Sequence, residues 1–301
     1  MGALKPGLIV NADDFGVDPA TNAGILSAYK NGIVSSVSLM VTMPRRDETC
    51  RELRASGMPA GLHLSLTQGC AAAPLGDVRG LVDDSGRFYR SAFWFMQVGR
   101  GGRERGDFLR QIHAELSAQL ALASDHGVAL THVDSHQHVH MNPNIFAIVE
   151  DIAPRFGVRR VRRTREPAWP MFMAAGLGRS LWRRNHVKWL VLRRLARQFS
   201  PRLPSPDAFF GVLHSGIISK PVLRGLLQRL APQLANEICI HPGFQPSPPL
   251  ASEATIFDQF AASPFRQIEH DALVDPEIAD LVRGRQLRLL SFAGAEKDLV
   301  R

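Results

Sequence analysis

The stretch "GLIVNADDFGVDPATNAGILSAYK" (residues 7–30) carries two structural signals in succession. Its first part is a short apolar, β-branched run, the pattern of a buried strand. The second begins at Asp18-Pro19, where an aspartate can cap a helix and a proline fits the first helical position. A strand that passes straight into a helix is one βα unit, and the pattern recurs along the chain. Strands are expected near 7–12, 35–43, 60–66, 129–135, 157–161, 237–241 and 287–292. Helical periodicity covers 19–31, 46–56, 105–126, 144–156, 219–231 and 274–283. Such alternation favours parallel strands joined by crossover helices. The expected fold is α/β, a single-domain TIM-like β/α barrel over 1–301, incomplete or distorted. The segments 67–104 and 163–212 fit the alternation poorly and are expected to be loops elaborated around a site.

Nothing in the chain approaches the ~18 uninterrupted apolar residues of a membrane span, and the start lacks a leader pattern. The expected setting is cytoplasmic. Cys50, Cys70 and Cys239 are odd in number and form no C-x-x-C pair, which suits reduced thiols. The formal charge of +8 is concentrated: residues 155–202 hold 14 Lys/Arg against one acid, Glu166. Within that block, residues 168–199 mix Trp, Phe and Leu with arginine, as a basic amphipathic helix at a membrane surface does, and as a helix packed on a barrel also does.

Four expected strands end in ionisable groups. "IVNADDFG" supplies Asp13 and Asp14, "GLHL" supplies His63, "THVDSHQH" supplies Asp134, His136 and His138, and "CIHPG" supplies His241. In a parallel barrel, the loops after the strand C-termini share one rim, so these groups should converge. Two neutral imidazoles and a carboxylate can hold one divalent cation and leave a side open to water and substrate; Zn²⁺, Mg²⁺ and Mn²⁺ all fit. One of the adjacent acids can bind the metal while the other accepts a proton from the bound water. His241, from another part of the rim, can protonate a departing amine. His132, His138 and Asp134 are read as groups that orient ligands or line the cleft, Asp134 foremost.

The motifs "LIVNADDFG", "NGIVSSVSLMV", "GLHLSL", "THVDSHQHVHMNP" and "HPG" stand here in the order seen in YdjC/ChbG-like carbohydrate deacetylases, and the chain resembles that family from about 7 to 292. The resemblance implies a β/α barrel, a divalent metal, and removal of N-acetyl groups from amino sugars. It implies Asp14, His63 and His136 as metal ligands, Asp13 as base and His241 as acid. The stretches "LVDDSGRF", "DAFFGVLHSG" and "FRQIEHDALVDPEIADL" look most like the branch associated with hopanoid biosynthesis, which implies an N-acetylglucosaminyl lipid as substrate. A homodimer and peripheral membrane contact through 168–199 accompany that reading.

Two rival functions share some of these features. A metal-dependent phosphoesterase could use the same ligands, although no Gly-rich phosphate cradle of the G-x-x-x-x-G-K-[ST] kind is present. A noncatalytic binder of glycan or nucleic acid could use the basic block, but it leaves the acid, base and ligand set unexplained. The favoured reading has no nucleic-acid partner.

Overall fold

The computed structural model describes residues 4–97, 105–173, 179–245 and 263–299. Six parallel strands form one sheet: β1 (Gly7–Phe15), β2 (Ser36–Leu39), β3 (Ala60–Leu64), β4 (Leu130–Ser135), β5 (Ala208–Phe210) and β6 (Ala235–Ile240), in the order β4-β3-β2-β1-β6-β5. Nine helices of more than one turn are described: α1 (Pro19–Asn31), α2 (Arg46–Ser56), α3 (Ala92–Gln97), α4 (Arg105–Asp125), α5 (Pro143–Ile152), α6 (Arg179–Ala196), α7 (Lys220–Arg229), α8 (Pro264–Val274) and α9 (Pro276–Gly284).

The two ends of this sheet are joined through residues 160–165. Val133 N donates to Arg160 O at 3.0 Å and Arg162 N to Val133 O at 2.9 Å, which ties the segment to β4. On its other side Phe209 N donates to Arg165 O at 3.3 Å, reaching β5. The expected strand at 157–161 is therefore an irregular strip with a single bridge, Val133 to Val161, and it completes the ring. The run 287–292 likewise makes isolated bridges, Leu8 to Leu289 at the start of β1 and Leu290 to Glu296. The result is a distorted β/α barrel, as the alternation implied.

The local signals explain the element starts. The Asp18 side chain accepts from Thr21 N at 2.8 Å and Pro19 opens α1; Asn142 accepts from Asn144 N at 2.9 Å and Pro143 opens α5. Side-chain alternation along β1 then sorts the layers. Leu8, Val10 and Ala12 join the core beneath the helices, whereas Ile9 packs with Leu290 and Phe292 on the other face. This small apolar plug closes the bottom of the barrel, and the polar residues lie above it.

Three expectations change. The segment 163–212, read as loop, contains helix α6 and strand β5, and 67–104 contains α3. Helix α6 falls within the stretch 168–199 read as a basic amphipathic helix, so the loop reading of 163–212 fails there. Helix α8 was not expected at all. Residues 98–104 and 174–178 of these two segments lie outside the described residues.

Candidate active site

Because every strand is parallel, the C-terminal ends of β1, β3, β4 and β6 open on one rim, and the residues named from sequence do meet there. A ligand atom from each of Asp14, His63 and His136 lies within 4.8 Å of the other two, and the same holds for Asp13, His63 and Asp134 and for Asp13, Cys239 and His241. A bulge in β1 makes this possible. Adjacent strand residues should point to opposite faces, but the register with β2 shifts between Ala12 and Phe15, and Asp14 takes a left-handed φ of 72°. The kink turns both carboxylates toward the rim. Holding a non-glycine residue there costs energy, a strain often found at functional sites. After β4, Gln137 and His138 also adopt left-handed φ values of 54° and 59°, which folds the histidine run back over the barrel.

His63 is oriented by Asp134. Its Nδ1 lies 2.8 Å from Asp134 Oδ1, which turns Nε2 toward Asp14 Oδ1 at 3.5 Å. His136 Nδ1 lies 3.3 Å from the same oxygen. Asp14 Oδ1 is buried and meets no donor in good hydrogen-bond geometry, while Oδ2 accepts from Arg266 Nη2 at 2.6 Å. Ligand atoms ~2.1 Å from a tetrahedral cation stand about 3.4 Å apart. The observed separations match, so the donor set fits a divalent metal. The orienting contact of His63 with Asp134 is the usual support for a ligating imidazole.

Below this trio sits a charge cluster that the sequence reading did not foresee. Arg162, fully buried, places Nη1 2.7 Å from Asp13 Oδ2 and Nη2 2.8 Å from Asp13 Oδ1. The same Nη1 is 2.7 Å from Asp134 Oδ2, and Nε donates to Glu237 Oε1 at 2.7 Å. Asp13 also accepts from Asn11 Nδ2 at 2.8 Å and from the Cys239 thiol at 3.1 Å. Ser38 Oγ donates to Asp134 Oδ2 at 2.7 Å.

The protonation states follow from burial set against these partners. Burial raises Asp13, but Arg162 and then His63 hold it well below the usual carboxylate range. Burial likewise works against Asp14, and Arg266 and His136 outweigh it. Three carboxylates cannot all ionise around one guanidinium, and burial takes Glu237 up to about 8. For His63, burial is overcome by Asp134 and Asp13, which lift it to about 9. Burial lowers His136, and it takes His132 to about 3 and His140 to about 4, leaving these rings neutral.

His241 meets a more specific outcome. It stands at the end of β6, its backbone N donates to Glu269 Oε2 at 2.6 Å, and burial pulls the ring down to about 4. The ring is therefore neutral near pH 7 and must gain a proton before it can give one. His132 stacks on Phe292 with ring centroids 3.7 Å apart and sits 3.9 Å from Asp134 Oδ2, deep in the barrel. His138 lies 3.4 Å from Thr164 Oγ1 and edge-on to Phe209. His132 is thus a packing residue of the barrel interior, Asp134 supports His63 directly, and His138 lines the wall toward β5.

Lys188 of α6 is a further residue that sequence reading did not single out. Burial lowers its pKa, and its charge is felt by Cys239, Asp13, Asp14 and Glu166. Glu166 takes backbone N–H bonds from Gly211, Val212 and Leu213 at 3.1, 3.0 and 2.9 Å, which fixes the turn after β5 beneath α6.

Residues 7–284 match the family model described as YdjC-like protein. The chain is 32% identical over 285 residues to a carbohydrate deacetylase of Geobacillus stearothermophilus, covering 94% of this chain and 96% of that protein. It is 33% identical over 289 residues to a chitooligosaccharide deacetylase of Serratia marcescens, covering 95% and 97%. A solved structure from Enterococcus faecalis, described provisionally as a cellobiose-phosphate cleavage protein, superposes with a TM-score of 0.69 at 24% identity over 96% of this chain and 98% of that one. That likeness is one of fold.

Proposed function

Because the chain belongs to the YdjC-like protein family, we propose that it hydrolyses the N-acetyl group of an N-acetylated amino sugar with the help of a divalent metal, releasing acetate. The observation that carries the reading is the shared approach of His63 Nε2 and His136 Nδ1 to Asp14 Oδ1, at 3.5 and 3.3 Å, with His63 braced from behind by Asp134.

Asp14, His63 and His136 would hold the ion, which when bound acidifies water and polarises a carbonyl. The rest of the chemistry falls to the chain's own groups. Asp13 is kept ionised and fixed in orientation by the Arg162 fork, so its carboxylate can accept a proton from the attacking water. His241, neutral and within 4.8 Å of Asp13 through its nearest ligand atom, can receive a proton and deliver it to the departing amine. Below the site the apolar plug and the Arg162 cluster fill the barrel.

The finer reading of the substrate is an N-acetylglucosaminyl lipid of the hopanoid type, supported by the resemblance of "LVDDSGRF" and "DAFFGVLHSG" to that branch. The test is acetate release from N-acetylglucosamine oligomers and from an N-acetylglucosaminyl glycolipid, repeated with Asp13→Asn and His136→Ala. Loss of release in both variants supports the assignment, and unchanged rates in both end it. A chromogenic phosphate-ester screen with the same metals separates the phosphoesterase alternative.

A further inference from the structure

Helix α6 is held by one face and leaves the other uncovered. On the inner side Asn185 Nδ2 donates to Leu213 O at 3.3 Å and to Ser215 O at 3.2 Å, and Trp189 Nε1 donates to Glu166 O at 3.1 Å. Leu192, Leu195 and Ala196 complete the buried stripe. On the opposite arc, Val187 is 63% exposed, Leu190 59% and Val191 39%. At 100° per residue these three fall on one face with the exposed Arg184, Arg194 and Arg197. Soluble helices seldom set three large aliphatic residues into water on a single arc.

We infer that this arc of α6 docks on an anionic lipid bilayer, the aliphatic side chains entering the headgroup boundary and the arginines pairing with lipid phosphates. Charge complementarity selects this occupant. No acidic residue occurs between Glu166 and Asp207, so the face is basic throughout. A second copy of the chain in a two-fold contact would set arginine against arginine. Nucleic acid would meet the arginines but leave Val187, Leu190 and Val191 without a use, whereas a bilayer surface takes both kinds of side chain. The inference concerns binding alone and stands apart from the deacetylase reading.

The test is cosedimentation of the full chain with vesicles of phosphatidylcholine, with and without phosphatidylglycerol. Two variants are compared with the wild type: Val187→Ser with Leu190→Ser and Val191→Ser, and Arg184→Gln with Arg194→Gln and Arg197→Gln. All six side chains are solvent-facing, so thermal melting should not change. The wild type is expected to bind the phosphatidylglycerol vesicles and each variant to bind them at least roughly tenfold more weakly. Failure of the wild type to sediment with those vesicles, or equal sedimentation of the serine variant, overturns the inference. So does binding to double-stranded DNA that the serine variant retains while neither protein binds vesicles.

Discussion

The guanidinium of Arg162 grips the Asp13 carboxylate with two hydrogen bonds of 2.7 and 2.8 Å, and it does so from an irregular strip that closes the barrel between β4 and β5. Fold closure and orientation of the candidate base thus depend on one side chain. Arg162→Lys keeps a charge but loses the planar fork, and a lysine cannot serve Asp13, Asp134 and Glu237 together. It is expected to fold, with kcat lower by about 100-fold, since a small misplacement of a catalytic group costs that much. Arg162→Met leaves buried carboxylates unpaired and should lower stability by about 3–5 kcal/mol. Urea unfolding and acetate release measure the two effects.

The hydrogen bond from His63 to Asp134 makes a separate prediction. Asp134→Asn retains the shape but replaces a charged acceptor with an amide, which weakens the hold on the His63 tautomer. Metal affinity, read by competition with a chromogenic chelator, should fall by about 10- to 100-fold. An unchanged affinity would show that Asp134 serves Arg162 rather than the metal site.

Glu237 gives a pH signature. Burial raises its carboxyl to about 8 in the folded protein, above its ordinary 4.5. Between those values the folded state binds more protons than the unfolded one, so the stability tied to this group is present below pH 4.5 and lost as pH rises through about 8. Glu237→Gln keeps a carbonyl oxygen for Arg162 Nε and removes the titration. Urea midpoints measured from pH 5 to 9 should decline less steeply in the variant than in the wild type. Parallel curves would show that Glu237 is ionised throughout, balanced by Arg162.

Much of this cluster is legible in sequence because each candidate residue stands at the end of a strand with a recognisable pattern. Asp13, Asp14, His63, Asp134, His136 and His241 all belong to motifs whose position in a βα unit fixes the rim they share. Arg162 was hidden among neighbouring arginines in "RFGVRRVRRTR", where nothing local separates a buried guanidinium from its solvated neighbours. A clue lay elsewhere: Glu237 interrupts the apolar run "ANEICI", and a buried acid requires a cationic partner. Sequence could not say which arginine answers it, since the pairing spans 75 residues. The bulge at Asp14 was equally illegible, because it arises from pairing with β2.

Packing under the rim yields a steric prediction. A methyl group on Gly61 would stand 2.3–2.4 Å from three atoms of the His132 ring, inside the barrel. The ring is stacked on Phe292 and cannot withdraw. Gly61→Ala should therefore destabilise the fold by about 1–3 kcal/mol, as overpacked cores do. It should also disturb His63, two residues along β3, so thermal melting and chelator competition are expected to shift together.

Lys188 permits a test in which a positioning role and a structural one differ in sign. Its positive charge is felt by Asp13, Asp14 and Glu166 and opposes any cation brought to Asp14, His63 and His136. Lys188→Met removes that opposition while keeping the aliphatic stem that packs along α6. Metal should bind severalfold more tightly to the variant, because like charges in a poorly solvated site repel appreciably. Acetate release should nevertheless fall, by about tenfold in kcat with little change in KM, because a positive charge that faces developing oxyanion character has been lost. If the lysine only secures α6, the variant would bind metal more weakly and melt earlier. Chelator competition, melting and steady-state rates on one protein preparation separate the two outcomes.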